Sequence, residues 1–193
     1  MSPASTLLGI TLLIGTALPP PDSRPADLRI ESQNPQARLG ARPEDVASMD
    51  AILGALYEVI SGPAGQHRDW DRMRALFAPG ARLIPTVYRP DSVPALRLWD
   101  VEQYVTQVGP RLESAGFFER EISRRVERYG GVVHVFSTYE SRRASADPTP
   151  FARGINSIQL WFDGRRWWVV TVYWESERPN NPIPAAYLKS PGG

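Results

Sequence analysis

The sequence predicts an α+β domain in which helices cover one face of a mostly antiparallel sheet. Apolar residues recur at helical spacing in several stretches before residue 113, whereas the later part contains two long runs of strand-forming residues around Gly-containing turns. Helices followed by antiparallel strands form two layers, with the helices collected on one face of the sheet. The chain has 193 residues, 42% of them hydrophobic, which suits one such domain with terminal extensions.

The N-terminal residues 1–17 are predicted to form a signal peptide, and residues 18–42 a disordered linker. The run from Leu7 to Leu18 is apolar, too short to span a bilayer and of the length of a signal-peptide core. We therefore expect export to a bacterial periplasm or exterior, with no membrane segment in the mature protein. A cytoplasmic location is the alternative, because the first six residues contain no Lys or Arg.

Three helices are predicted in the first part of the domain. The first begins at Pro43, which is followed by two acidic residues that favour the positive end of a helix dipole. Asp69 is placed to cap a short second helix. Asp100 and Gln103 have the spacing of a capping box at the start of the third helix, and Pro110 is expected to kink or break that helix.

One strand is predicted between the second and third helices, at residues 81–88, and two long hairpins follow the third helix. The first hairpin turns at Gly130-Gly131, and its heavily charged first arm suits an edge or solvated strand. The second covers residues 151–176 and turns at Asp163-Gly164, a dipeptide that favours a tight turn. Residues 177–193 are predicted to be an extended, proline-rich tail.

Strict alternation divides the side chains of the second hairpin between two faces. With Phe162 opposite Arg165, one face receives Asn156, Trp167, Thr171, Tyr173 and Glu175. The other face receives the tryptophans Trp161, Trp168 and Trp174. Both faces are too apolar for open water, so we expect the helices against the first face. A second copy of the chain is expected against the tryptophan face, which predicts a homodimer.

Three motifs connect the chain to a known family: the stretch from Asp69-Trp70 to Ala81, the segment Arg153 to Ser157, and the turn Asp163 to Trp168. On these motifs residues 43–176 resemble the nuclear transport factor 2-like superfamily and, within it, the SnoaL-like domains. The resemblance implies a cone-shaped fold, with three N-terminal helices packed on a curved sheet that encloses a pocket. Members include isomerases, dehydratases and proteins without catalysis. Residues 82–86, where a steroid-isomerase-like base is expected, contain no carboxylate.

Four residues are predicted to line a ligand pocket because they share the face expected to meet the helices: Asn156, Trp167, Thr171 and Tyr173. Polar side chains in such a place can orient a carbonyl or hydroxyl group of a ligand. Glu175 and His134 are the candidates for acid/base catalysis, since a carboxyl group drawn into an apolar cavity acquires a raised pKa and histidine titrates near neutrality.

Composition argues against several other functions. The sequence contains no cysteine, which excludes disulfides, thiol nucleophiles and thiolate metal sites. Two histidines and scattered carboxylates show no ligand spacing, so neither a metal nor another cofactor is predicted. A net charge of +1 disfavours a nucleic-acid partner, because neutralising phosphates requires a basic excess.

The predicted function is an exported SnoaL-like protein that binds a small, partly apolar molecule, or isomerises or dehydrates it by acid/base chemistry. The alternative is a non-catalytic dimeric interaction or assembly module of the same fold, whose cavity is filled by its own side chains. The feature that separates the two is whether Asn156, Tyr173 and Glu175 line an open cavity. Whether the protein is an enzyme stays open at this point.

Overall fold

A computed structural model of the protein describes residues 40–88 and 93–189. The predicted signal peptide, and the predicted linker as far as residue 39, lie outside the described residues, as do residues 190–193 of the tail. The described helices are α1 (Pro43–Val46), α2 (Met49–Ile60), α3 (Trp70–Leu76) and α4 (Val101–Ala115), with a 3₁₀ turn at Ala185–Tyr187. The described strands are β1 (Phe77–Val87), β2 (Ala95–Leu96), β3 (Phe118–Tyr129), β4 (Val132–Arg142), β5 (Ala152–Phe162) and β6 (Trp167–Ser176).

Within the described residues, these six strands form one sheet in the order β2-β1-β6-β5-β4-β3. β1 and β6 run parallel, and the other neighbouring strands are antiparallel. The helices pack on one face, where a hydrophobic core joins Leu53 of α2 and Leu76 of α3 to Val135, Ile158 and Val169 of the sheet. The predicted α+β class is therefore confirmed. In the part of the chain described, no helix is long and apolar enough to cross a membrane.

The helix starts follow the capping residues read from the sequence. The Asp69 carboxylate accepts the backbone N–H of Arg72 at 2.9 Å at the start of α3. Asp100 and Gln103 form both hydrogen bonds of a capping box at the start of α4. The first predicted helix is divided into α1 and α2, because the Ser48 hydroxyl caps a new helix that begins at Met49.

Of the two effects predicted for Pro110, a kink or a break, the break is wrong, because α4 continues to Ala115. Tertiary contacts hold its last turn in place. Leu112 is buried in the protein, and the Glu113 carboxylate accepts the indole N–H of Trp70 at 2.9 Å. The same carboxylate accepts the backbone N–H of Arg68 at 3.1 Å. These contacts compensate for the backbone hydrogen bond that proline removes from the helix.

A buried arginine, Arg68, joins the ends of two helices. Arg68 is only 7% exposed. Its guanidinium group donates hydrogen bonds to backbone carbonyls, at N···O distances of 2.5 to 3.4 Å. The accepting carbonyls belong to Ile60, Gly62, Pro63, Gln66 and Leu112. Burial lowers the pKa of Arg68, and the nearby Glu113 carboxylate acts in the opposite direction. The guanidinium thus satisfies the carbonyls that a helix end and a tight loop leave without partners.

A β-bulge in β6 changes which side chains face the helices. Leu160 of β5 pairs with Val169, but the preceding Gln159 pairs with Thr171, so Val170 has no partner on β5. Beyond the bulge, Val172 and Trp174 face the helices, while the side chains between them face the opposite side of the sheet. β1 departs from regular pairing at the same level, where Phe77 pairs with Val169 and the next pair is Arg82 with Thr171.

The bulge contradicts part of the predicted face assignment. Asn156 and Trp167 face the helices as predicted, but Thr171, Tyr173 and Glu175 lie on the outer face, the face of the sheet away from the helices. Trp174 lies on the helix side instead of joining Trp161 and Trp168 on the outer face. The predicted pairing of Phe162 with Arg165 is also wrong, because Phe162 pairs with Trp167 across a four-residue loop.

The tail folds back onto the outer face. Ile183 is buried there, and the Thr138 hydroxyl donates to the backbone carbonyl of Tyr187 at 2.6 Å. The Tyr187 ring packs edge-to-face against Phe136 with ring centroids 5.0 Å apart. The described part of the tail is therefore a strap across the sheet.

We predict that Arg68→Met lowers the free energy of unfolding by about 3 kcal/mol or more, because several buried carbonyls lose a charged donor. Urea unfolding monitored by tryptophan fluorescence measures this loss. Arg165→Met is the matched control: Arg165 is exposed, and its replacement is expected to change the free energy of unfolding by no more than about 0.5 kcal/mol. Equal effects of the two substitutions would show that the buried guanidinium does not hold the helix ends together.

Candidate functional site

A cavity of about 240 Å³ lies between the helices and the sheet. Most of its wall is apolar or aromatic, and the aromatic side chains come from every layer of the fold: Tyr57, Tyr104, Phe117, Tyr139, Phe151 and Trp174. The polar residues on the wall are Glu119, Ser141, Asn156 and Ser176. An apolar cavity with a small number of polar groups is the usual form of a small-molecule site.

The position of Glu119 in this cavity is fixed by the contact between the end of α2 and the start of β3. Gly62 and Phe117 exchange two backbone hydrogen bonds, at 2.7 and 3.0 Å. The Ser61 hydroxyl then accepts the backbone N–H of Glu119 at 3.0 Å. This arrangement turns the Glu119 side chain inward, where its Oε2 atom accepts the Ser141 hydroxyl at 2.8 Å.

Burial makes Glu119 an unusual acid. Loss of hydration raises the pKa of its carboxyl group to about 7, although hydrogen bonds from Ser141 and Asn156 act in the opposite direction. Glu119 keeps some accessible surface, because it borders both the cavity and a groove between α2 and β3. A carboxyl group with such a pKa is present in both protonation states near neutral pH and can act as an acid or as a base.

Asn156 and Tyr57 form the polar part of the cavity wall beside Glu119. Asn156 is 6% exposed, and its Nδ2 atom donates to the Tyr57 hydroxyl oxygen at 3.1 Å. That hydroxyl lies 2.7 Å from the Ser137 hydroxyl, deeper in the sheet. Burial raises the pKa of Tyr57 far above its usual range, so the phenol remains protonated.

Tyr104 presents a free hydroxyl group to the cavity. Its ring is fixed by edge-to-face contacts with Trp99 and Trp174, at centroid distances of 6.2 and 6.3 Å. Among the residues that the structure describes, none forms a hydrogen bond with the Tyr104 hydroxyl. Burial, together with the charge of Glu119, raises the pKa of this phenol, which therefore stays a hydrogen-bond donor.

Tyr139 also contributes a hydroxyl group, which lies 3.1 Å from Ser176 Oγ. The ring reaches this position only because residue 154 is glycine. A Cβ atom at Gly154 would lie 2.4 Å from the Tyr139 hydroxyl oxygen and 2.4 Å from the carbonyl oxygen of Glu175. The close approach of the two strands at Gly154 thus sets one end of the cavity.

The structure separates the four residues predicted to line a pocket. Asn156 lines the cavity. Trp167 is buried in the core, where its ring contacts Phe162 at a centroid distance of 5.2 Å, and it does not line the cavity. Thr171 and Tyr173 lie on the outer face, and Tyr173 is 42% exposed. Their predicted place beside Asn156 is wrong because the bulge at Val170 reverses the alternation.

The two predicted acid/base candidates also lie outside the cavity. Glu175 is on the outer face, where its Oε1 atom accepts Arg178 at 3.0 Å and Asn181 at 2.8 Å and so anchors the tail. His134 is on the same face, with Nε2 3.0 Å from Ser157 Oγ. Within residues 40–88 and 93–189, no three His, Asp or Glu side chains are grouped as metal ligands would be.

Sequence reasoning missed Glu119, Tyr57 and Tyr104. Glu119 belongs to the charged first arm of the β3–β4 hairpin. The many charges of that arm predict a solvated strand, whereas its start is covered by α2 and the following loop. Tyr104 occupies an apolar position of the α4 pattern, which favours a core residue. A usable signal was the Phe117-Phe118 pair directly before Glu119, which indicates that the strand begins in an apolar environment.

Several chains of solved structures are similar to this one. A crystal structure of an NTF2-like protein of unknown function from Methylobacillus flagellatus KT is similar to this chain at a TM-score of 0.41 and 15% sequence identity. The similarity covers 68% of this chain and 95% of that one. No protein-family model matches the sequence. The search of curated proteins found no match either.

We predict that Glu119 makes the protein less stable as the pH rises from about 4.5 to 7. The folded-state pKa of about 7 lies above the ordinary value of 4.5, so the unfolded chain releases this proton first. The free energy of unfolding should fall by roughly 3 kcal/mol over that range relative to Glu119→Gln, which has no such proton. Urea unfolding of both proteins from pH 4 to 8 measures the difference, and parallel profiles would contradict the raised pKa.

Proposed function

We propose that the cavity binds a small, partly apolar carbonyl compound and that Glu119 moves a proton on it, in an isomerisation or a dehydration. The observation that supports this proposal is a carboxyl group with a pKa of about 7 on the wall of an apolar cavity. A free donor on the same wall, the Tyr104 hydroxyl, supplies the second group that such a reaction requires. The family resemblance led us to expect a catalytic carboxylate in β1, where the sequence has none. In this proposal Glu119 of β3 takes that role.

The proposed chemistry uses only these two groups. The Glu119 carboxylate takes a proton from the carbon next to the carbonyl group, and the electron pair of that C–H bond moves toward the carbonyl oxygen. The Tyr104 hydroxyl donates a hydrogen bond to that oxygen as its negative charge grows. Return of the proton to a different carbon completes an isomerisation. Transfer of the proton to a departing hydroxyl group releases water and completes a dehydration.

The dimensions of the cavity limit the ligand. A volume of about 240 Å³ is below the roughly 300 to 1,000 Å³ of sites for drug-sized molecules, so the ligand is expected to be smaller. Aromatic walls favour a flat or cyclic apolar portion. The alternative function, a non-catalytic interaction module, requires a cavity filled by the protein's own side chains. The free space in the cavity weighs against this alternative, and no feature of the described residues supports it.

We predict that small cyclic ketones and enones raise the melting temperature of the full-length protein by several degrees. A ligand at about 100 times its dissociation constant stabilises the folded state by roughly 2.7 kcal/mol. For each compound that binds, NMR in D₂O should show the protein catalysing exchange of the proton next to the carbonyl group. Glu119→Gln is expected to keep binding and to slow this exchange by about 100-fold or more.

Two matched controls accompany this experiment. Tyr104→Phe should slow the exchange by about 100-fold, whereas Tyr129→Phe should not change it, because Tyr129 is 89% exposed at the tip of the β3–β4 hairpin. Glu44→Gln serves likewise as an exposed counterpart of Glu119→Gln. If the wild type binds a compound but does not catalyse proton exchange, the proposed enzymatic activity is rejected and the protein is a ligand-binding protein. No binding by any compound would reject the small-molecule site.

We further propose that the protein is exported and forms a homodimer through the part of the outer face that carries Trp161 and Trp168. The apolar run from Leu7 to Leu18 supports export. Expression of the full-length chain in a bacterium, followed by native mass spectrometry of the periplasmic fraction, tests both parts. We expect twice the mass of a chain that begins near residue 18. Intact chains confined to the cytoplasm would contradict export, and a monomer mass would contradict the dimer.

A further inference from the structure

A chain of hydrogen bonds leads from the cavity to the groove between α2 and β3. The groove has a volume of about 770 Å³, and Asp50, Gly54, Glu121 and Arg124 are among the residues that line it. Starting from Asn156 in the cavity, the chain passes through the hydroxyl groups of Tyr57 and Ser137 and reaches the Glu121 carboxylate. It therefore connects the cavity wall with a carboxylate on another surface of the protein.

The direction of this chain follows from counting protons. The Ser137 hydroxyl has a single proton, which it donates to Glu121 Oε2. The Tyr57 hydroxyl must therefore donate its own proton to Ser137 Oγ. The Tyr57 oxygen is left as an acceptor, and of the two ends of the Asn156 amide only the NH₂ group can donate to it.

The amide orientation matters for the cavity because an NH₂ group has two protons. One proton of Asn156 Nδ2 is used by Tyr57. Asn156 and Glu119 both line the cavity, and hydrogen bonding from Asn156 acts to lower the pKa of Glu119. If the amide were reversed, its oxygen would face Tyr57 instead, and the NH₂ group would no longer be held on this side, where hydrogen bonding from Asn156 stabilises the charged form of Glu119.

We propose that Glu121 is a positioning residue for the cavity, which acts through Ser137 and Tyr57 to fix the direction of the Asn156 amide beside Glu119. The proposal rests on the proposed function in taking Glu119 as the reactive group. Glu121 does not itself line the cavity.

The surroundings of Glu121 suit it to this role. Its Oε1 atom accepts Arg124 Nε at 2.6 Å, and Arg124 also binds Asp50 of α2 at 2.5 Å. The carboxylate is thus held in place, with Oε2 left for Ser137. Ser137 is fully buried and Tyr57 only 7% exposed, so water does not compete for the inner bonds. A chain that ends on a carboxylate is polarised along its whole length, which strengthens each bond in it.

The proposal is tested by measuring the pKa of Glu119 in the full-length protein without ligand. An NMR titration of protein labelled with ¹³C at the glutamate carboxyl groups gives this pKa. The Glu119 signal is assigned from its absence in Glu119→Gln. Ser137→Ala cuts the chain without changing any charge. The Asn156 amide is then free to turn away, and the pKa of Glu119 should rise by about 0.5 to 1 unit.

Glu121→Gln separates this mechanism from direct electrostatics. Removal of a nearby negative charge by itself lowers the pKa of a carboxyl group. A Gln side chain, however, can donate as well as accept, so the direction of the chain is no longer fixed and the pKa of Glu119 should rise. Glu121 keeps 17% of its side chain exposed, so this variant is expected to fold even if Ser137→Ala does not.

Thr138→Val is the matched control, because Thr138 is the next residue of β4 and its hydroxyl bonds the tail on the outer face. The pKa of Glu119 is expected to stay unchanged in this variant. An unchanged or lowered pKa in Glu121→Gln would overturn the proposal, as would an unchanged pKa in a folded Ser137→Ala. Because the measurement uses no ligand, its failure leaves the proposed reaction standing, and failure of the ligand screen leaves this result unaffected.

Discussion

The guanidinium group of Arg68 binds backbone carbonyls from the end of α2, from the loop that follows and from α4. A charge removed from water is costly, and it is tolerated here because its donors are used by carbonyls that would otherwise be unpaired. The same loop contains Gly62, which pairs with Phe117 at the start of β3. The position of Glu119 two residues later therefore depends on a cation that lies outside the cavity.

The cavity combines a carboxyl group with an environment that opposes its ionisation. Ionisation of Glu119 lowers the stability of the fold, since the charged form is poorly hydrated where it lies. Residues that reduce stability in this way are found where a function requires them. Hydrogen bonds from Ser141 and Asn156 keep Glu119 from being an isolated charge, so the fold tolerates a group that can exchange protons at physiological pH.

The features that the sequence predicted correctly are local ones. Capping residues such as Asp69 and Asp100 act within one turn of a helix, and the turn at Gly130-Gly131 acts between adjacent strands. The turn at Gly164 was placed correctly, but its loop is two residues longer than predicted. The errors came from contacts between distant parts of the chain. The faces of β6 depend on a bulge at the level where β1 also leaves regular pairing, and α4 continues past Pro110 because Glu113 binds Arg68 and Trp70. Glu119 was missed for the same reason, because a loop more than 50 residues earlier covers its strand.

The bulge at Val170 has a consequence for how the length of β6 can vary. Residues on both sides of it pair with β5 as if Val170 were absent, since Val169 and Thr171 lie opposite the consecutive residues Leu160 and Gln159. Loss of this one residue would straighten the strand and leave the same side chains in the cavity. Loss of a residue elsewhere in the paired part of β6 would instead exchange the inner and outer sets. Chains of this fold can therefore differ by one residue in β6 and still share the same cavity wall, provided that the difference falls at the bulge.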